Sequence, residues 1–163
     1  MPEKETLERA REDAREGKAP STQAGEFVRE EMHHVREGKH GARSTKQAIA
    51  IGLSKARRAG VELSPPPATA EPKTIESAES ATRRVGRKPS PPRSRAIRKA
   101  LKREPHGAAT PKALARQAKS AARRRSPAAR SAAARHAAQT KGPAERRAAA
   151  QKAARTRAKE ERR

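Results

Sequence analysis

Sixteen large apolar side chains (Val, Leu, Ile, Met, Phe) in 163 residues, with Phe27 the only aromatic, limit what this chain can bury. Much of the remaining apolar content is alanine, which contributes little area. Ten of the sixteen lie between Leu7 and Leu63, so a core can be assembled only there. A net charge of +23 with almost no aromatics is otherwise the signature of a disordered chain. The expected fold class is therefore mainly α: a small helical hairpin or helix-turn-helix-like module, then a largely disordered, transiently helical basic tail. The expected organisation is a charged helix in residues 1–19, the helical module in 20–63, a proline-rich linker in 64–82 and the tail in 83–163.

The best-specified stretch is Ser44–Gly60. Ser44 and Gln47 have capping-box spacing, which satisfies two orphan amides at a helix start. Gly60 stands where a left-handed cap needs no Cβ. Thr45, Ile49, Gly52, Leu53 and Ala56 fall on one face at helical spacing, with Ile51 opposite, which predicts apolar neighbours on two sides. Upstream, residues 22–37 read as a second helix, with Ser21 or Thr22 as cap, Gly38 as stop, and a stripe of Ala24, Phe27, Val28, Met32 and Val35. A short loop at 38–43 joins the two as an αα-hairpin, and Val61 and Leu63 can fold back over its end. Residues 3–16 read as a charged, solvent-exposed helix with Leu7 its only large apolar residue. So small a core predicts a marginal unit, for which a second copy packed through residues 20–63 or a bound polyanion is an expected support.

The charge is unevenly placed. Residues 1–63 carry 13 Lys/Arg against 11 Asp/Glu, and residues 83–163 carry 27 against four. Duplex DNA presents one negative charge per about 1.7 Å, and each phosphate neutralised releases counterions, so such a tail suits a polyanion. The tail has no aromatic residue for base stacking, which disfavours single-strand recognition of that kind. Pro111, Pro127 and Pro143 are spaced by sixteen, each after Thr110, Ser126 or Gly142, with Arg125, Lys141 and Arg157 closing each unit. Proline belongs in a helix's first turn, so three short alanine-rich helices are expected. Ala/Arg-rich sequence also aligns with itself at many offsets, and the period is shorter than those of familiar repeat folds. Ser90-Pro91-Pro92-Arg93 and Ser126-Pro127 match a minor-groove turn pattern, of a kind that composition alone produces.

The candidate nucleic-acid contacts are Arg43, Lys46, Lys55, Arg57 and Arg58 in the module. The linker-proximal tail adds Arg83, Arg84, Arg87, Lys88, Arg93, Arg95, Arg98, Lys99, Lys102 and Arg103. The remainder are Lys112, Arg116, Lys119, Arg123, Arg124, Arg125, Arg130, Arg135, Arg146 and Arg147. Ser44, Thr45, Lys46 and Gln47 with Arg43 also have the residue types that hold phosphate or base edges at a helix start, or that simply cap it. Glu30, Glu31, His33, His34 and His40 invite a metal reading through Glu-x-x-His at 30–33 and 31–34. Di-metal bundles need that motif from each of two helices, so no metal is expected. No nucleophile triad, phosphate loop or paired-carboxylate pocket is discernible, so no catalytic residue and no cofactor are expected. With no cysteine, no signal-like start and no long apolar run, a cytoplasmic, nucleoid-associated protein is expected, with no membrane contact.

Through Ser21-Thr22-Gln23-Ala24-Gly25-Glu26-Phe27-Val28-Arg29-Glu30-Glu31 and the Lys46-Gln47-Ala48-Ile49-Ala50-Ile51-Gly52-Leu53-Ser54-Lys55-Ala56-Arg57 run, the chain resembles small basic bacterial proteins. Those proteins form a domain family of unknown function, some of them labelled DNA-binding. The likeness covers residues 1–63, and Gln117–Arg125 is similar too. It brings no mechanism or site residues. The tail resembles histone-H1-like Ala/Lys/Arg-rich ends in composition. These likenesses imply double-stranded DNA as partner. Two other readings stay open: a protein-interaction adaptor with a localising basic tail, and an RNA- or ribosome-associated factor.

Overall fold

In the computed structural model, which describes residues 2–140 and 142–161, the chain is mainly α, with no strand among the described residues. Its first three helices are α1 (Lys4–Arg15), α2 (Pro20–Arg36) and α3 (Thr45–Arg58). The cap of α3 is as expected, with Ser44 Oγ accepting from the Gln47 amide at 3.2 Å. The return bond reaches one residue further than in a standard box, because Gln47 Oε1 accepts from the Arg43 amide at 2.7 Å. Gly60 closes α3 at φ +94°, which a side chain rarely tolerates. The start of α2 differs from expectation: Ala19 is the N-cap without a side-chain bond, and Pro20 stands in the first turn. Proline has no N–H to lose there, so the helix begins before Ser21 and Thr22.

The α2 stripe and the α3 seam meet as their spacing predicts. Ala24, Phe27, Met32 and Val35 of α2 are buried, as are Thr45, Ala48, Gly52 and Ala56 of α3. Gly52 allows the closest approach: a Cβ there would lie 2.7 Å from Val28 Cα and 2.9 Å from Val28 N. The helices thus touch backbone to backbone at this point.

Two apolar clusters flank that contact. In one, Ala10 of α1 joins Ala24, Phe27 and Ala56, edged by Leu7, Leu53, Val61 and Leu63. Val61 and Leu63 do fold back, and α1 is not the solvated helix its charges suggest. Thr6 and Ala10 are buried against α2, and Arg9 Nε bonds Glu26 Oε2 at 2.6 Å. The other cluster is Met32, Val35, Ala42 and Ala48 with Ala108 and Ala109, which come from far along the chain.

Residues 64–117 therefore do more than link. Helix α4 (Pro72–Thr82) packs on α3 and buries Ala81. After α5 (Pro91–Leu101), a short strap ending in a 3-10 turn (His106–Ala109) lies over the α2–α3 loop. The Gly41 amide donates to Leu101 O and the Ala42 amide to Pro105 O, each at 2.9 Å. Thr45 Oγ1 donates to Ala108 O at 2.6 Å, and Arg36 Nε to Ala109 O at 3.0 Å. A Cβ at Gly41 would overlap the Glu104 carbonyl. The strap supplies backbone carbonyls and two alanines, neither of which registers as an apolar signal in sequence.

The chain divides into two compact units, 1–117 and 118–163, so the first unit runs well past residue 63. The largely disordered tail expected over 83–163 is not what the structure carries. Helices α6 (Pro111–Arg124), α7 (Pro127–Thr140) and α8 (Pro143–Glu161) follow one another. They start at the three prolines spaced by sixteen. Thr110 Oγ1 caps α6 by accepting from the Ala113 amide at 3.3 Å, and Ser126 Oγ caps α7 from Ala129 at 3.1 Å. The third unit does not close at Arg157, because α8 continues through it, and Lys141 lies outside the described residues. Described side chains of α7 and α8 are exposed, so these helices rest on alanine propensity and capping rather than burial.

Candidate nucleic-acid interface

The charge excess is shared between the two units. Residues 1–117 carry 26 Lys/Arg against 15 Asp/Glu, net +11, and residues 118–163 carry 15 against three, net +12. Half of the basic character thus belongs to the unit with the buried core.

Within that unit, three arginines from separate elements are brought together. Arg58, exposed at the end of α3, is partly desolvated by the neighbouring chain, and this and then the charges of Arg84 and Arg93 push its guanidinium below the usual arginine value. Arg84 stands just beyond α4 and Arg93 in the first turn of α5. The Gly86 amide donates to Arg58 O at 3.2 Å, which holds the α4–α5 connection against the end of α3. No carboxylate among the described residues pairs with any of the three. A like-charged group of this kind attracts a polyanion, since only an external anion relieves its repulsion.

The other expected contacts fall into distinct settings. Arg43 and Lys46 are exposed beside the α3 start, but Thr45 is not available there, its hydroxyl being spent on Ala108 O. Ser44 and Gln47 are occupied in the cap, so this helix start presents two cations and no base-reading set. Arg83 is exposed and pairs with Glu79 at 3.4 Å. Arg87, Lys88, Arg95, Arg98, Lys99, Lys102 and Arg103 are exposed along and around α5. On α6, Lys112, Arg116, Lys119 and Arg123 recur at intervals of four, three and four, a single exposed helical stripe. Arg124, Arg125, Arg130, Arg135, Arg146 and Arg147 are exposed on or between the helices that follow.

Two expected contacts are turned inward instead. Lys55 Nζ lies 2.9 Å from Glu30 Oε1 and 2.6 Å from Glu31 Oε2, with its side chain only 21 % exposed. Burial depresses its ammonium, but the Glu31 carboxylate and then Glu30 outweigh this and hold its pKa above the usual lysine value. Burial likewise raises the Glu30 carboxyl. The Lys55 ammonium and the Glu3 amide outweigh that effect and hold it below the usual carboxylate range. Arg57 spans the returning chain, donating to Leu63 O at 2.8 Å and Ser64 O at 2.7 Å. Both residues lie on the basic face in sequence, and nothing in the spacing of Lys55 shows that Glu30 and Glu31 of α2 face it.

Among the described residues no helix is long and apolar enough to cross a membrane. Helices α1 and α4 and the strap pack on the α2–α3 pair from within the chain, and among the described residues the exposed large apolar side chains are Val85 and Ile97. Neither the curated proteins nor the solved structures contain a match to this chain. Residues 19–66, the segment that spans α2, α3 and the fold-back of Val61 and Leu63, match the model of a family of unknown function, DUF6496.

Proposed function

We propose that this protein is a non-enzymatic, largely sequence-nonspecific DNA-binding protein whose affinity comes from phosphate neutralisation. The observation that carries the reading is the state of its cations. From Arg87 to Arg147, every expected contact is exposed and has no carboxylate partner among the described residues. Surface cations kept for stability or solubility would be interspersed with acids, as they are in residues 1–63. Helices present these cations at fixed spacing, so binding displaces counterions without first ordering the backbone. The Arg58–Arg84–Arg93 group adds a fixed point on the folded unit, which can set how the chain lies along a duplex. Contacts of this kind position the protein and carry no base readout.

The test is a titration of mixed-sequence duplex against salt. With about eight phosphates engaged, affinity falls about 10³–10⁵-fold between 50 and 200 mM salt. A flat response refutes the reading. Crosslinked pull-downs with and without nuclease distinguish it from an adaptor, whose partners survive nuclease, and competition with structured RNA distinguishes DNA from RNA.

A further inference from the structure

We infer that Glu31, His34 and His40 form a binding site for a single divalent transition-metal ion of the zinc type. Their ligand atoms all lie within 4.8 Å of one another at the junction of α2 with the α2–α3 loop. His40, from the loop, supplies the ligand that the two Glu-x-x-His spacings of α2 lack by themselves. His33, the neighbour in sequence, is exposed and takes no part.

In each neutral ring, the hydrogen bonds decide which nitrogen keeps the lone pair. His40 Nδ1 lies 3.0 Å from Gly41 O, a carbonyl that can only accept, so Nδ1 carries a proton. Its Nε2 then faces Glu31 Oε1 at 3.0 Å. The Glu31 side chain is 1 % exposed, with the Lys55 ammonium 2.6 Å from Oε2, so Oε1 against His40 is the oxygen left for a further cation. A buried carboxylate oxygen 3.0 Å from an imidazole nitrogen whose ring already donates from its other nitrogen is placed as two ligands of one cation are placed.

His34 is arranged the same way. Its Nε2 lies 2.9 Å from Glu3 Oε1, so Nε2 donates and Nδ1 keeps the lone pair. An imidazole whose far nitrogen donates to a carboxylate or a backbone carbonyl is the usual outer support of a metal ligand, and here each ring has one. The rings meet edge to face at 83° with centroids 5.8 Å apart, and one ligand atom of each lies within 4.8 Å of the other and of a Glu31 oxygen. In a tetrahedral zinc site with bonds of about 2.0–2.1 Å, ligand atoms stand about 3.3 Å apart, so small rotations complete the set. Charge agrees. Glu30 and Glu31 bring two negative charges to a region where Lys55 supplies one buried positive charge, and Glu3 pairs with exposed Lys39 at the rim. Two imidazoles and one carboxylate with an open fourth position suit zinc and its first-row neighbours rather than magnesium or calcium.

The test uses the full chain with Co²⁺ and Zn²⁺ as probes. Expected are visible d–d bands at one Co²⁺ per chain, displaced by Zn²⁺, and a melting temperature that rises with Zn²⁺. His34→Gln and His40→Gln each remove the bands and the thermal shift, and His33→Gln changes neither. Glu3→Ala leaves all three ligands in place but removes the acceptor that supports His34, so it weakens Zn²⁺ binding about 10–100-fold while circular dichroism stays helical. Absence of d–d bands in the folded wild type overturns the inference, as does binding unchanged by His34→Gln and His40→Gln.

Discussion

Gly52→Ala and Gly25→Ala are the same chemical change in adjacent helices, and the structure gives them opposite signs. At Gly25, on the exposed face of α2, an added Cβ meets nothing within 4 Å. The substitution therefore gains only helix propensity, about 0.5–1 kcal/mol. At Gly52 the Cβ lies 2.7 Å from Val28 Cα, 2.9 Å from its Cγ2 and 2.9 Å from its N. Two of those atoms are backbone, so the relief is not a rotamer change but a displacement of α2 by about 1 Å from a normal carbon contact of about 3.5–4.0 Å. Overpacking of this kind costs about 1–3 kcal/mol, against which the same propensity gain is set, so Gly52→Ala destabilises by about 1–2 kcal/mol. In thermal melts of the full chain followed by circular dichroism, about 4–8 °C per kcal/mol separates the variants on either side of wild type. If Gly52→Ala melts at or above the temperature of Gly25→Ala, α2 and α3 do not meet backbone to backbone at this position.

Lys55→Met leaves Glu30 and Glu31 without their ammonium and destabilises the protein by about 3–5 kcal/mol at neutral pH, measured by urea unfolding. The Glu30 pKa is held below its ordinary 4.5, so the stability it contributes is present above that value and is lost as pH falls through the folded value. The Lys55 pKa is held above its ordinary 10.5, so its contribution is complete below that value and is lost as pH rises further. The difference between wild type and Lys55→Met is accordingly widest between these limits, and a difference independent of pH contradicts the pairing. Thr45→Val leaves the buried Ala108 carbonyl unsatisfied, at a cost of about 1–3 kcal/mol, and speeds tryptic cleavage at Lys102 and Arg103. Replacing Arg58, Arg84 and Arg93 together by Gln lowers the slope of log affinity against log salt by about 2–3 on duplex DNA, read by anisotropy. Deleting residues 118–163 weakens binding and does not abolish it, because residues 1–117 keep a net charge of +11.

Where side-chain spacing carries the information, the sequence is readable. The α2 stripe, the α3 seam, the Ser44 cap and the Gly60 stop all stand at the expected positions, because each depends on residues within about one helical turn of another. What it conceals is backbone-mediated or distant. The strap reaches the core through Leu101, Pro105, Ala108 and Ala109 carbonyls, which every residue possesses, and through alanines that look the same in a core and in a tail. The candidate site divides along the same line. Exposure of the cations follows from their density, whereas the grouping of Arg58 with Arg84 and Arg93 depends on how three helices pack. The inward turn of Lys55 depends on two glutamates some twenty-five residues away.

The strap also fixes an order of events during synthesis. The amides of Gly41 and Ala42 and the hydroxyl of Thr45 are satisfied by carbonyls of Leu101, Pro105 and Ala108, some sixty residues later. Domains emerge from the ribosome N-terminal end first, at about 5–20 residues per second. For several seconds α1, α2 and α3 are therefore complete as helices while the loop between them is still unsealed. During that interval Met32, Val35 and Ala48 lack the two alanines that cover them. A nascent chain halted before Ala109 holds its helices but leaves one side of its core open to water, and that is the species most exposed to chaperones and proteases.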